Sequence, residues 1–479
     1  MRRFQIVPVA LIAGVLLAAH HTSAAEIGGP IALHPENPHY FIYRGKPTIL
    51  ITSAEHYGAV LNLDFDYRRY LEELQSHNLN LTRTFSGTYR EFPGDFGITD
   101  NTLAPKPMRY LAPWARSDTP GASDGGNKYD LNEWDSAYFA RLKDFVAEAE
   151  RRGVVVELTM FCTLYEDAQW EALPMNAANN VNGIGTCSRH EVFKLIHDDL
   201  TNVQTAFVSK VVGELKDCNN LIFEVCNEPY LEDCVSHEWQ QRVVETIVDE
   251  ESKLGVRHLI SMNIANGRAK VTDPVPGVSV LNFHYAYPPD AVSMNYHHNL
   301  VIGENETGFR GKEDILYRTE AWDFLLAGGG LFNSLDWSFM TSHPTGDTVK
   351  YDSPGGGSRT LRNQMNILRS FIEGFDFLRM APGAAFVQDA SPDVSVQVFA
   401  NPGSAYAIYL RIADPKSENK SVAKGWLTIT MPEGPYRLQW LNPKTGEAVG
   451  DDTIDHKGGG RRIQIPPFEE DVALSIRKS

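Results

Sequence analysis

Between residues 47 and 375 two hydrophobic rhythms alternate along the chain. Short, nearly continuous apolar runs fall at 47–52, 79–85, 154–161, 221–225, 258–264, 279–285, 300–305 and 331–337. Between most of them lie stretches in which apolar residues recur at helical spacing: 66–77, 135–152, 200–215, 238–254, 313–326 and 361–375. In the second of these, Phe139, Leu142, Phe145 and Val146 share one face, and Gly153 follows as a stop. Runs without polar alternation belong to strands buried on both faces, which is how parallel sheets covered by helices read. Eight such runs interleaved with helices predict a (β/α)8 TIM barrel with long loops over 26–380. A doubly wound open sheet is the structural alternative. It calls for a Gly-rich turn after an early strand, and the chain has none.

Near Pro382 the rhythm changes. From there to residue 479 short alternating runs, such as Val394 to Phe399 and Ala405 to Leu410, are separated by Pro and Gly turns. That pattern predicts a small C-terminal antiparallel β-sandwich over 381–479, with a hairpin loop at Leu441-Asn-Pro-Lys-Thr-Gly446. Pro354 and the glycines Gly355 to Gly357 read as a mobile loop.

The first 25 residues read as a secretory signal. Arg2 and Arg3 precede an apolar run from Val7 to Ala19, and Ser23, Ala24 and Ala25 offer a cleavage site. The expectation is a secreted or periplasmic protein with no membrane partner. A formal net charge of -17 argues against nucleic acid, which needs a positive surface. Five cysteines are too few for a disulfide scaffold, though an oxidising compartment permits pairs among them. No closely spaced His/Cys set suggests a metal, and no cofactor is expected. Composition and motifs leave the oligomeric state open.

Two strand ends carry the chemistry. Phe223-Glu224-Val225-Cys226-Asn227-Glu228-Pro229-Tyr230 is an apolar run that stops in Asn-Glu, with Pro229 ending the ladder. Leu300-Val-Ile-Gly-Glu304-Asn305-Glu306-Thr307-Gly308 ends in acid too, three strands later. On a barrel the two ends face each other across the mouth, where catalytic side chains gather. A lone strand-end Glu is usually a surface ion pair; two facing carboxyls in unlike environments can divide into one protonated and one ionised group. The expectation is that Glu228 keeps its proton near neutral pH. Strand alternation places Glu304 and Glu306 on the same face.

These motifs resemble the clan A retaining glycoside hydrolases, most nearly the cellulase-like family 5, over roughly residues 30–380. The resemblance implies that Glu228 is the acid/base, that Asn227 holds a sugar hydroxyl, and that the nucleophile follows the seventh strand. Glu306-Thr307-Gly308 fits the family's Glu-any-Gly pattern and Glu304, followed two residues later by Glu306, fits it less well, so Glu306 is the expected nucleophile, with Glu304 the alternative and otherwise a supporting acid deeper in the barrel. Arg83, in Thr82-Arg83-Thr84, resembles the arginine that orients the nucleophile. His284 with Tyr285 or Tyr287 resembles the family's His-Tyr element, although Ala286 stands where the family puts Tyr. Trp337 resembles the sugar-stacking floor. His56-Tyr57 and Tyr89-Arg90-Glu91 lie on candidate substrate loops, while Trp114, Trp134 and Trp170 read more readily as loop packing. The third strand ends Thr159-Met160-Phe161-Cys162, without the histidine many family 5 enzymes carry.

The expected function is cleavage of β-linked oligo- or polysaccharide through a glycosyl-enzyme intermediate. Metal hydrolysis around His297, His298 and His284 ranks low, because adjacent histidines point apart. The competing class is a non-catalytic carbohydrate-binding protein on the same barrel. Binding alone has no use for the Glu228 and Glu306 pair.

Overall fold

The computed structural model describes residues 29–414 and 420–479; the expected signal segment lies outside them. Eight parallel strands form a nearly closed barrel: β1 (Leu50–Ala54), β2 (Leu81–Phe85), β3 (Val155–Cys162), β4 (Leu221–Asn227), β5 (Leu259–Asn266), β6 (Val280–His284), β7 (Val301–Glu306) and β8 (Leu331–Leu335). From β2 to β8 each pairs with the next strand in sequence, and β8 returns to β1. At the remaining seam, between β1 and β2, the Asn80 side chain accepts from the Ile51 N–H at 2.9 Å and donates to the Ile49 carbonyl at 2.8 Å. The first strand begins later than its apolar run suggests. Lys46–Thr48 instead pairs with Phe41–Tyr43 in a separate antiparallel sheet, at whose edge Pro47 needs no N–H.

The principal helices are α1 (Tyr67–Ser76), α2 (Ser136–Arg151), α3 (Asp198–Leu215), α4 (His237–Leu254), α5 (Asp314–Leu326) and α6 (Arg359–Glu373). Their ends follow local chemistry. Asp66, Asp135, Ser236 and Ser358 cap first turns by accepting backbone N–H bonds, and Gly255 closes α4 in the left-handed region.

The floor of the barrel is apolar and plugged. Leu50, Leu81, Val155, Ile222, Leu259, Val280, Val301 and Leu331, one from each strand, cluster with Ile31, Phe41 and Tyr43 of the small N-terminal sheet. Every one of the eight is buried, a gain of roughly 1.5–3 kcal/mol per large side chain. Above the floor the lumen turns polar, with Glu157, Glu224, Asn263, Asn282 and Asn305 fully or almost fully buried.

The C-terminal region is a sandwich. A six-stranded antiparallel sheet faces a three-stranded one across a core that includes Val398, Ile408, Leu427, Ile463 and Leu474. It is fastened to the barrel through α5. There Arg318 meets Asp471 and Glu470, both at 2.8 Å, Asp323 meets Arg411 at 2.8 Å, and Trp322 stacks on Tyr409.

Two loop expectations change. The segment around Trp114 contains a hairpin, Trp114–Pro120 with Asn127–Trp134, and its two tryptophans stack on each other. The glycines at 355–357 are buried rather than mobile: a Cβ on Gly355 would lie 1.7 Å from the Gly308 carbonyl oxygen, so that backbone packs against the segment following β7. All five cysteines are unpaired.

Candidate active site

At the C-terminal ends of the strands a cavity of about 320 Å³ is lined by Tyr57, Tyr165, Asn227, Glu228, Tyr285 and Glu306, among others. Glu228 and Glu306 face one another, with an oxygen of each carboxyl and a His284 ring nitrogen all within 4.8 Å. β4 carries the first and β7 the second, as the strand-end motifs imply.

β7 does so by breaking its own alternation. The ladder to β6 pairs Phe283 with Glu304 and His284 with Glu306, leaving Asn305 as an extra residue. This bulge turns two consecutive side chains inward. The Asn305 amide drops into the lumen, donating to Glu157 at 3.1 Å and Glu224 at 2.6 Å, and Glu306 enters the mouth. Glu304 is thereby left on the outer face. It is fully buried against α5, accepts from the Ala286 N–H at 2.8 Å, and does not line the cavity. Burial, reinforced by the neighbouring Glu320, pushes its carboxyl well above the usual range. The expected shared face of Glu304 and Glu306, and the supporting role of Glu304 in the lumen, are corrected by that one inserted residue.

Glu306 is held from three directions. One oxygen accepts from Tyr57 at 3.0 Å and from Arg83 at 3.1 Å; the other accepts from Tyr285 at 2.8 Å. Arg83 is itself buried, with two donors on Glu224 and one on Asn227, and it stacks over Tyr57. Glu228 lies 3.1 Å from His284 Nδ1 and accepts from Tyr165 at 2.6 Å. Its backbone N–H donates to Asn263 and its carbonyl accepts from Thr163. Asn227 donates to Tyr165 at 3.0 Å. Glu228, Tyr57 and Tyr285 all have φ near +50°, a conformation that L side chains enter at a cost of order 1–3 kcal/mol. Strain is thus concentrated on three groups that aim at one point.

Electrostatics revises the expectation for Glu228. Burial works to raise its carboxyl, but the His284 contact and the Tyr165 donor outweigh it and hold the group below the usual range. At the rim His56 pairs with Glu91 at 3.2 Å; burial lowers the imidazole, Glu91 raises it, and the balance is upward.

Other sequence candidates fall outside the cavity. Tyr287 lies under the Arg310 and Arg411 guanidiniums at the sandwich interface, so Tyr285 alone supplies the hydroxyl. Trp337 is buried behind His56 and Phe309, with its indole N–H on the Gly308 carbonyl, so it backs the wall and does not form it. Trp114 and Trp170 are buried in loop packing. His298 binds the Val271 carbonyl. Among the described residues, the donor set able to grip a cation is Glu228, His284 and Glu306. Arg83, at 3.1 Å from Glu306, already places a fixed positive charge there.

Sequence reading passed over Tyr165, Glu224 and Glu157, and placed Tyr57 only on a substrate loop. Tyr57 and Tyr165 lie within three residues of a strand end, the one signal that singles them out.

A family model described as a domain of unknown function (DUF6298) matches residues 104–265. None of the curated proteins matches the chain in sequence. Among solved structures, a glycoside hydrolase family 5 protein from Bacteroides vulgatus superposes with a TM-score of 0.64 at 12% identity, over 94% of each chain. A structure described as a glycoside hydrolase gives 0.62 at 13% identity, over 94% of this chain and 97% of its own. The class defined is a glycosidase-like (β/α)8 barrel with C-terminal antiparallel sheets. At this identity the likeness is one of fold, and it bears out the resemblance read from the strand-end motifs.

Proposed function

We propose that the chain is an exported retaining glycoside hydrolase acting on β-linked glycans. The observation that carries the reading is the approach of the Glu228 and Glu306 oxygens to within 4.8 Å across the mouth. Retaining enzymes hold their carboxyls about 5–5.5 Å apart, whereas inverting ones leave roughly 6.5–9.5 Å for a water.

The environments divide the roles. Glu306, facing a guanidinium and two tyrosine hydroxyls, is the nucleophile: its oxygen bonds to the anomeric carbon as the glycosidic bond breaks. The leaving oxygen takes its proton from Glu228, and the contact with His284 Nδ1 gives that proton a short route to the carboxyl. Glu228 then removes a proton from water, whose oxygen replaces Glu306 on the anomeric carbon. Asn227, oriented by Arg83 and Tyr165, is placed to bind a sugar hydroxyl.

The test uses aryl β-glycosides and β-linked polysaccharides, with proton NMR of the first product anomer. The expected product keeps the β configuration, and Glu228→Gln and Glu306→Gln each abolish turnover while oligosaccharide affinity survives. An inverted first product, or full activity in either variant, overturns the reading. Equal loss of binding and turnover favours a carbohydrate-binding protein instead.

A further inference from the structure

The cavity is closed at one end, and the closure is built. The long loop after β2 is laced to the loop after β8 across the end of β1. The Thr99 N–H donates to the Asp352 carbonyl at 2.8 Å, and Asp100 accepts from Thr341 at 2.5 Å and from the Ser342 N–H at 2.9 Å. No residue of 336–358 lines the cavity, so on this side its wall stops at His56 and Glu91. Those two are nearly buried. Glu91 is also held by Tyr89 at 3.2 Å and by the Asn101 amide, and the His56 carbonyl accepts from Thr102 at 2.7 Å.

The mouth above the cavity is aromatic. Phe96 and Phe309 are 44% and 38% exposed and meet edge to face across the mouth. Phe96 also packs on Tyr165, which binds Glu228, and Phe309 on Tyr285, which binds Glu306. At about 320 Å³ the cavity is at the small end of ligand pockets.

We propose that the enzyme is exo-acting: His56 and Glu91 form an end wall that recognises the free hydroxyls of a terminal sugar, while the leaving group departs through the mouth past the exposed rings of Phe96 and Phe309. The inference rests on the glycosidase reading of the same site and adds which part of a glycan enters it. A carboxylate takes hydroxyl donors, and a glycosidic or ether oxygen has none to give. A chain continuing past the terminal sugar would leave Glu91 buried against an oxygen that cannot donate. Sites built around a substrate hydroxyl reject the analogue lacking it by about ten-thousand-fold.

The experiment compares β-glucan, β-mannan and β-xylan oligosaccharides, labelled at the reducing end, with the same compounds O-methylated on the non-reducing terminal sugar. Polymer viscosity is followed in parallel. The expected result is stepwise release of monosaccharide from uncapped chains, unchanged viscosity early in the reaction, and kcat/KM for capped chains at least about a hundred-fold lower. In Glu91→Ala, and in His56→Gln should the first variant fold poorly, that discrimination falls below about ten-fold while capped and uncapped chains are still cleaved. Internal cleavage, an early fall in viscosity, or discrimination unchanged in both variants overturns the closed end and leaves the glycosidase reading standing. Absence of cleavage on every substrate removes the glycosidase reading, and this inference with it.

Discussion

The two ends of the same eight strands differ in kind. At the floor each strand contributes one apolar side chain to a sealed cluster beneath the N-terminal sheet. At the mouth and in the upper lumen, Glu224 and Glu306 converge on the single guanidinium of Arg83, at 2.6 and 3.1 Å. Floor contacts are apolar and carry no charge that needs a partner. Mouth contacts do, and removing one member leaves buried charge or unpaired donors behind. The lesson is that one barrel separates stability from chemistry along its axis, except where Arg83 joins them.

That separation can be attacked from both sides. Glu306→Gln is expected to cost ~1,000-fold or more in kcat while leaving the melting temperature within a few degrees, measured on the same preparation. Arg83→Met breaks the separation: it strips the counter-charge from buried carboxylates and should cost roughly 3–5 kcal/mol in denaturant unfolding as well as activity. Leu331→Ala sharpens it from below. A floor cavity should cost about 2–5 kcal/mol, with kcat per folded molecule unchanged. A loss of kcat there would mean that the floor and the mouth are coupled.

The smallest expected effect is in pH dependence. Tyr165→Phe removes a donor that favours ionised Glu228, so the Glu228 pKa rises. In the proposed mechanism the acid form protonates the leaving group, so activity is lost as pH climbs past that pKa. The alkaline limb of kcat/KM should therefore move up by about one unit, equivalent to ~1.4 kcal/mol. Stability carries the matching sign. A depressed carboxyl adds stability above its unfolded pKa of roughly 4.3, and the addition is lost as pH falls through the folded value. Tyr165→Phe should thus weaken the neutral-pH protein more than the acidified one, as read by thermal melts across pH.

Much of this was legible in the chain. Eight nearly continuous apolar runs identified the barrel strands, and the expected helices at 66 and 135 begin at Asp66 and Asp135, which cap them for a physical reason. The two glutamates stood out because both end such runs. Glu304 was misread because periodicity has no symbol for an inserted residue; a bulge shows itself only when the partner strand is known. The lumen carboxylates Glu157 and Glu224 were passed over, since their partners come from five different strands. Trp337 and Tyr287 failed for a related reason: being close to a strand end does not say which way a ring turns. The glycines at 355–357 carry the same composition as a flexible linker, and their burial follows from the close approach of Gly308, distant in sequence.

One consequence follows from the Asn305 bulge. Its amide is anchored in the lumen on Glu157 and Glu224, so the backbone that carries Glu306 takes its bearing from the interior of the barrel, and only Tyr57 and Tyr285 tie that carboxyl to the segments beyond the strand ends. Evolution, or an engineer, can therefore recut the outer loops, provided Tyr57 and Tyr285 are kept, while Glu228 and Glu306 hold their alignment. Retargeting by grafted rims should succeed here more often than repacking the lumen.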